Sequence, residues 1–332
     1  MRLIRHGVVL NAFMICVAAG CDPAPALQSS PAAPAATKPA IADSHPASQS
    51  QPANTSPAVK LLSPGQGALR QLRYTPTVGE KQEASLTIKL STLPQPKTGQ
   101  FPGQVFPTLK LTLANEVQSI AANGDITYVF KILEGDALDT PDAIPEAVKL
   151  KRQLAQELVG LTGVTTIDNR GIIKHSNLTV PPKASNSQVQ ILLLLGEALE
   201  QTWTMLPAEP VGIGGKWQAS VVTYSNAYQA KLEQTLTYEI VSMDSHGMKL
   251  SVSLDQVAHH QDLKKQGDAR RELDAIKGIG AGEFILNLGK ILPQMAKMSV
   301  ESITRMSAEI TGRMEPVEVH KVVEHLLESV PE

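Results

Sequence analysis

The segment of the chain most suggestive of chemistry is Leu206 to Trp217, LPAEPVGIGGKW. Glycines ahead of a lysine are what a phosphate-binding loop uses, with backbone N–H groups around the phosphates and the lysine neutralising them. That loop needs G-x-x-x-x-G-K-[ST], and here Pro210 stands at the first glycine and Trp217 at the hydroxyl that holds magnesium. A dinucleotide fingerprint fails too, because Gly212-x-Gly214 lacks the third glycine and follows a helical pattern instead of a strand. The segment reads as architecture. Pro207 and Pro210 stop a helix, the glycines turn the chain, and a strand runs from Lys216 to Tyr224 with Trp217 in the core and Lys216 outside.

Other reactive side chains fare no better. His320 to His325 reads HKVVEH, one residue longer than the inverted zinc motif H-x-x-E-H, and residues i and i+5 do not share a helical face. His259 and His260 are adjacent, close to Asp255 and Asp262, on what reads as a polar loop, where neighbouring side chains diverge. No G-x-S-x-G elbow occurs. Asp168-Asn169-Arg170-Gly171 reads as the tight turn of the hairpin TTIDNRGIIKH. The sequence offers no catalytic residue, no metal ligand set and no cofactor motif.

The N-terminus is more informative. Arg2, Arg5 and His6 precede an apolar run from Val8 to Val17, then AAG and Cys21, the layout of a secretory signal peptide and too short for a membrane span. VAAGC at 17–21 resembles the lipobox of bacterial lipoproteins. The resemblance implies cleavage after residue 20, a diacylglyceryl thioether and N-acylation on Cys21, and a mature chain held on a membrane by several acyl chains. Ala18 replaces the usual leucine, and Asn11 interrupts the apolar run. Asp22 resembles the inner-membrane retention signal of enteric bacteria, a lineage-dependent rule that leaves inner and outer membrane open. The expected location is the cell envelope, with the folded part in the periplasm or outside.

Cys16, the only other cysteine, lies in the segment to be removed, so the mature chain has no disulfide, thiolate ligand or redox thiol. Losing Arg2 and Arg5 takes 30 basic residues to 28 against 32 acidic ones, a net charge of −4 that gives no footprint for nucleic acid. From Asp22 to Pro57, 24 of 36 residues are Pro, Ala or Ser, a composition that cannot repay the entropy of ordering. We read 1–20 as signal peptide, 21–57 as lipidated cysteine plus tether, and 58–332 as a single β-rich domain. The tether spans a few tens of Å as coil, at about 5–6 Å times the square root of its length.

Period-two alternation dominates that domain. It runs through Leu86, Ile88 and Leu90; Leu109, Leu111 and Leu113; Ile126, Tyr128, Phe130 and Ile132; Leu232, Leu236, Tyr238 and Ile240; Met248, Leu250, Val252 and Leu254; Phe284, Leu286 and Leu288; and from Met298 to Ile310. One apolar face per strand predicts an antiparallel sheet packed on one side and wet on the other. Helices are expected over 142–161, with Leu150, Leu154, Leu158 and Leu161 as the apolar stripe, and over 185–205, opened by a Ser185/Gln188 capping box. The second helix is apolar nearly all round and calls for burial against the sheet. The run from Val317 fits helix or strand, and its β-branched content favours a strand pairing back on 298–310.

Three short anchors recur in order: Gly65-x-Gly67 with Gly212-x-Gly214, the turn at Asn123-Gly124 with His246-Gly247, and Asn169-x-Gly171 with Asn287-x-Gly289. They outline two related halves, 58–184 and 206–332, joined by the helix 185–205.

LPAEPVGIGGKW also resembles a motif, L-P-x-x-P-V-G-x-G-x-x-W, of a family of uncharacterised bacterial envelope lipoproteins. Leu206, Pro207, Pro210, Val211, Gly212, Gly214 and Trp217 match, and Gly215 departs where an acidic residue is expected. The resemblance implies the order signal peptide, tether and β-rich domain, and transfers no catalytic residue. The expected fold is α+β, mainly β: a curved antiparallel sheet or half-barrel enclosing an apolar helix, resembling the envelope carriers of lipids and lipoproteins. The expected function is noncatalytic binding of a lipid or other apolar ligand, lined by Leu192, Leu195, Leu199 and Trp203. Nine methionines and an aromatic content of 4% suit an adaptable apolar interior. The alternative is a structural or interaction module for an envelope protein, and a hydrolase comes third.

Overall fold

The structure, a computed structural model, describes residues 55–93, 104–140, 143–179, 188, 191–192, 195–196, 198–199, 201, 203–225, 230–245, 247–266, 269–310 and 313–330. The segment read as a signal peptide, Cys21, most of the segment read as a tether, Ser185 and residues 94–103 lie outside these.

The alternating runs are strands. The N-terminal half contributes β1 (Thr55–Ser63), β2 (Gln66–Arg70), β3 (Lys81–Thr92), β4 (Gln104–Val105), β5 (Thr108–Ile120), β6 (Ile126–Leu138), α1 (Pro145–Gln156), β7 (Thr162–Ile167) and β8 (Ile173–Leu178). The C-terminal half contributes β9 (Val211–Ile213), β10 (Lys216–Ser225), β11 (Ala230–Met243), β12 (Met248–Ala258), β13 (Gln261–Gln266), β14 (Ala269–Leu286), β15 (Met295–Ile310) and β16 (Arg313–Ser329). One antiparallel sheet runs β1-β10-β11-β12-β14-β15-β16-β3-β5-β6-β7-β8, with β4 beside β3 and β13 beside β14. Among the described residues β1 and β8 do not pair, so the sheet is open and not a barrel.

Its two faces differ as the alternation requires. Leu86, Leu111, Ile132, Tyr238, Leu250 and Phe284 are all buried in one core cluster that joins both halves. The opposite face carries cross-strand ion pairs, Lys81–Glu116, Lys89–Glu324, Lys216–Glu239 and Lys249–Glu283, between partly exposed side chains. Such pairs keep a sheet face wet and in register, and each adds little stability. The run from Val317 forms a strand, paired along its length with β15 and at its end with β3.

Several expectations need correction. The helix expected over 142–161 is the shorter α1. Pro145 sits in its first turn, Val148 and Ala155 are its buried residues, and Leu150 points outward. A Cβ on Gly135 would collide with the Ala155 carbonyl, so glycine is what lets the end of α1 lie on β6. The stretch 259–271 is no plain loop, since it contains β13, which folds back on β14. In the second helix the described positions from 188 to 201 are helical, but Trp203 to Leu206 are not. No helix among the described residues is long and apolar enough to cross a membrane.

Gly65-x-Gly67 and Gly212-x-Gly214 prove to be partners, not counterparts. Gln66 pairs with Ile213 in the ribbon β2–β9, and the Gly212 N–H donates to the Pro64 carbonyl at 2.8 Å. Gly65 has φ +78°, and a Cβ there would stand 2.6 Å from the carbonyl oxygens of Gly212 and Ile213. Gly65→Ala is expected to cost at least about 2 kcal/mol, from the left-handed backbone plus the clash, read as a lowered urea midpoint.

The local match between halves lies elsewhere. Gly79 N–H donates to Val117 O and Val117 N–H to Glu80 O, while Gly214 N–H donates to Ile240 O and Ile240 N–H to Gly215 O. The next residue of each half makes the same ion pair, Lys81–Glu116 and Lys216–Glu239. A register shift follows in each, between Val117 and Ser119 and between Ile240 and Ser242. Asp168 O accepts from Gly171 N–H as Asn287 O accepts from Lys290 N–H. The same hydrogen-bond pattern thus occurs at Gly79 and Gly214, and again at Asp168 and Asn287. The hairpins at Asn123-Gly124 and Gly247 occupy matching places, β5–β6 and β11–β12.

Candidate functional site

The buried segment Trp203–Leu206 has no regular structure, so its backbone groups need partners. Three aromatic side chains supply them. Tyr238 donates to the Trp203 carbonyl at 3.2 Å, Tyr74 to Thr204 at 3.3 Å, and Trp217 Nε1 to Met205 at 2.7 Å. Leu206 N–H donates to the Arg170 carbonyl at 2.8 Å. Trp217 is fully buried and stacks on Tyr238 with ring centroids 5.3 Å apart. Burial raises the Tyr74 and Tyr238 phenols above their usual value, so both remain neutral donors.

This clamp aims the Trp203 ring at a cavity of about 90 Å³ against the inner side of β5–β8. Leu195, Gly196 and Leu199 line it from the helix side; Leu113, Tyr128, Phe130 and Leu178 line it from the sheet. Tyr128 meets Trp203 with centroids 5.5 Å apart and planes tilted by 48°. Of the four residues expected to line a ligand site, Leu195, Leu199 and Trp203 line this cavity, while Leu192 is buried in the same core but not in the lining.

The polar lining is small. Thr165 Oγ1 and Ser176 Oγ lie 3.1 Å apart and share a hydrogen bond. Burial raises the Tyr128 phenol. Asn115 is buried, and its Nδ2 has no hydrogen-bond partner. The sequence reading missed Asn115, yet a signal is present. In LTLANEVQSI it occupies the inward position after Leu109, Leu111 and Leu113, where the alternation calls for an apolar side chain.

Among the described residues the histidines do not assemble into a buried site. His320 and His325 lie on β16, five apart and so on opposite faces; His320 meets Glu318 at 2.9 Å while His325 is 3% exposed. The Arg305 guanidinium, then His320, hold the Glu318 carboxyl below the usual range. His260 comes to Asp274 and Glu272, not to Asp255 or Asp262, with ligand atoms all within 4.8 Å. These side chains are at the solvated face of β13–β14, with Glu272 held by Arg270 at 2.6 Å and Asp274 by the Ser307 hydroxyl at 3.1 Å. Asp168 Oδ1 accepts from the Arg170 and Ile172 N–H groups, the tight turn expected of it.

Compared with family models and with curated proteins, the chain matches none.

Proposed function

We propose that the chain is a membrane-anchored envelope lipoprotein that binds an apolar ligand, a lipid or acyl chain, between the helix 188–201 and the concave side of its sheet, without catalysis. Cys21 carries the anchor, the tether lifts the domain from the membrane, and nucleic acid is no partner. The observation that carries this reading is the cavity, bounded by Leu195, Leu199 and Trp203 on one side and by inward sheet residues on the other. At about 90 Å³ it falls short of the roughly 300–1,000 Å³ of ligand sites, so an acyl chain enters only as the helix gives way. Gly196, with nothing within 4 Å of where a Cβ would stand, leaves open space beside the helix there.

The alternative, an interaction module, draws on β1, an edge strand that continues directly from the tether and offers unpaired backbone groups.

Tryptophan emission separates the two. A dibrominated dodecyl chain, delivered from cyclodextrin, is expected to quench Trp203 on contact and spare Trp217. Trp203→Phe then removes the quenched component. Unquenched emission at saturating probe, together with protein crosslinks from 93–107 or 259–271 in intact cells, would overturn ligand binding in favour of the module.

A further inference from the structure

We infer that the cavity ligand carries a neutral acyl carbonyl, that of an ester or amide, and that Asn115 donates to it. This rests on the apolar-ligand reading and specifies it. Asn115 stands across from Gln82 on β3 and Phe130 on β6. The two neighbouring amides have opposite fates. Gln82 Oε1 accepts from the Ile291 and Leu292 N–H groups at 2.8 and 2.9 Å, and its Nε2 donates to the Leu292 carbonyl at 3.3 Å. That amide is spent on the fold. Asn115 is 6% exposed, lines the cavity, and leaves Nδ2 without an acceptor.

A buried donor without an acceptor disfavours the closed empty state, and an acceptor that arrives with the ligand removes that penalty. The other hydroxyls of the lining are engaged with one another: Thr165 and Ser176 share a hydrogen bond, and the Tyr128 phenol is held against Thr165. The chemistry of the acceptor follows from what is absent nearby. Among the described residues that line the cavity none is a lysine, arginine or histidine, so an ionised carboxylate would enter without a counter-charge from them. An ester or amide oxygen accepts the same hydrogen bond and brings no charge. The ligand class is therefore an acylated molecule, such as a glycerolipid or an N-acyl group, in preference to a free fatty acid at neutral pH.

The test uses three dibrominated probes of equal chain length against full-length protein, with Trp203 quenching as readout: dodecane, methyl dodecanoate and dodecanoic acid. The ester is expected to bind roughly tenfold more tightly than the alkane, one net hydrogen bond, and more tightly than the ionised acid. Asn115→Leu is expected to erase the ester's advantage over the alkane and to raise the urea midpoint by removing the orphan donor. Because the wild-type series needs no variant, it decides the matter even if Asn115→Leu fails to fold. Equal affinity for ester and alkane in wild type, or an ester advantage that survives in Asn115→Leu, overturns the inference. The apolar-ligand reading fails separately, when not even the alkane quenches Trp203.

Discussion

Between pH 7.5 and pH 4 the protein is expected to lose about 3 kcal/mol of stability that the variant His325→Leu keeps. His325 lies on β16 between Met298 of β15 and Ile88 of β3, facing the core. Burial, with a smaller contribution from the Lys321 charge, pushes its imidazole from 6.5 down to about 4. Its Nδ1 has no partner to stabilise the charged ring. Below about pH 6.5 the unfolded chain takes up this proton while the folded chain does not. Linkage then makes stability fall with decreasing pH, until the folded form titrates near 4 and the loss levels off. About 2.5 units of depression at 1.36 kcal/mol each gives the magnitude. Urea unfolding of parent and variant at pH 7.5 and pH 4.5 checks it. A gap between the two that does not widen toward the acid side removes His325 as the cause.

The largest single-residue effect at neutral pH is expected at Trp217. Trp217→Ala should cost about 3–5 kcal/mol through the cavity it opens against Tyr238. Leaving the buried Met205 carbonyl without its donor adds roughly 1 kcal/mol or more. Trp217→Phe keeps most of the packing and loses the hydrogen bond, so about 1–2 kcal/mol is expected. The two variants also predict different things about the cavity. If the aromatic clamp positions Trp203, Trp217→Ala should broaden and red-shift Trp203 emission, and Trp217→Phe should not. Urea midpoints with Trp203 fluorescence measure both at once.

Much of the sheet was legible in the sequence, because alternation reports which residues face a covered surface, whatever covers it. Leu86, Leu111, Leu250 and Phe284 were placed inward on that ground and are buried. So was Trp217, and Lys216 beside it points out to Glu239. Alternation carries no information on neighbours. That Gln66 meets Ile213 depends on contacts far apart in the chain, so the two G-x-G pairs read as repeats when they are partners. The stripe of leucines at helical spacing departs at one position: Leu154, Leu158 and Leu161 pack on the core, while Leu150 lies outside and Ala155, brought close to Gly135, is buried. At the cavity, the Leu-rich helix announced one wall. The opposite wall hides in ordinary strands, where only an asparagine at an apolar position gives it away.

The strand order has a further consequence in time. The first half of the sheet is completed by β16, which follows every other described strand in the chain, and β10 of the second half is completed by β1, near the start of the described chain. During synthesis, β3 therefore waits for its β16 neighbour until translation has passed residue 329. Pairings this distant are slow to close, and a nascent or truncated chain carries open strand edges meanwhile. A premature stop ahead of Arg313 would leave more than a shortened sheet: β3 and β15 would both lose a partner, and the halves would be joined only through β1–β10 and β2–β9 among the described strands.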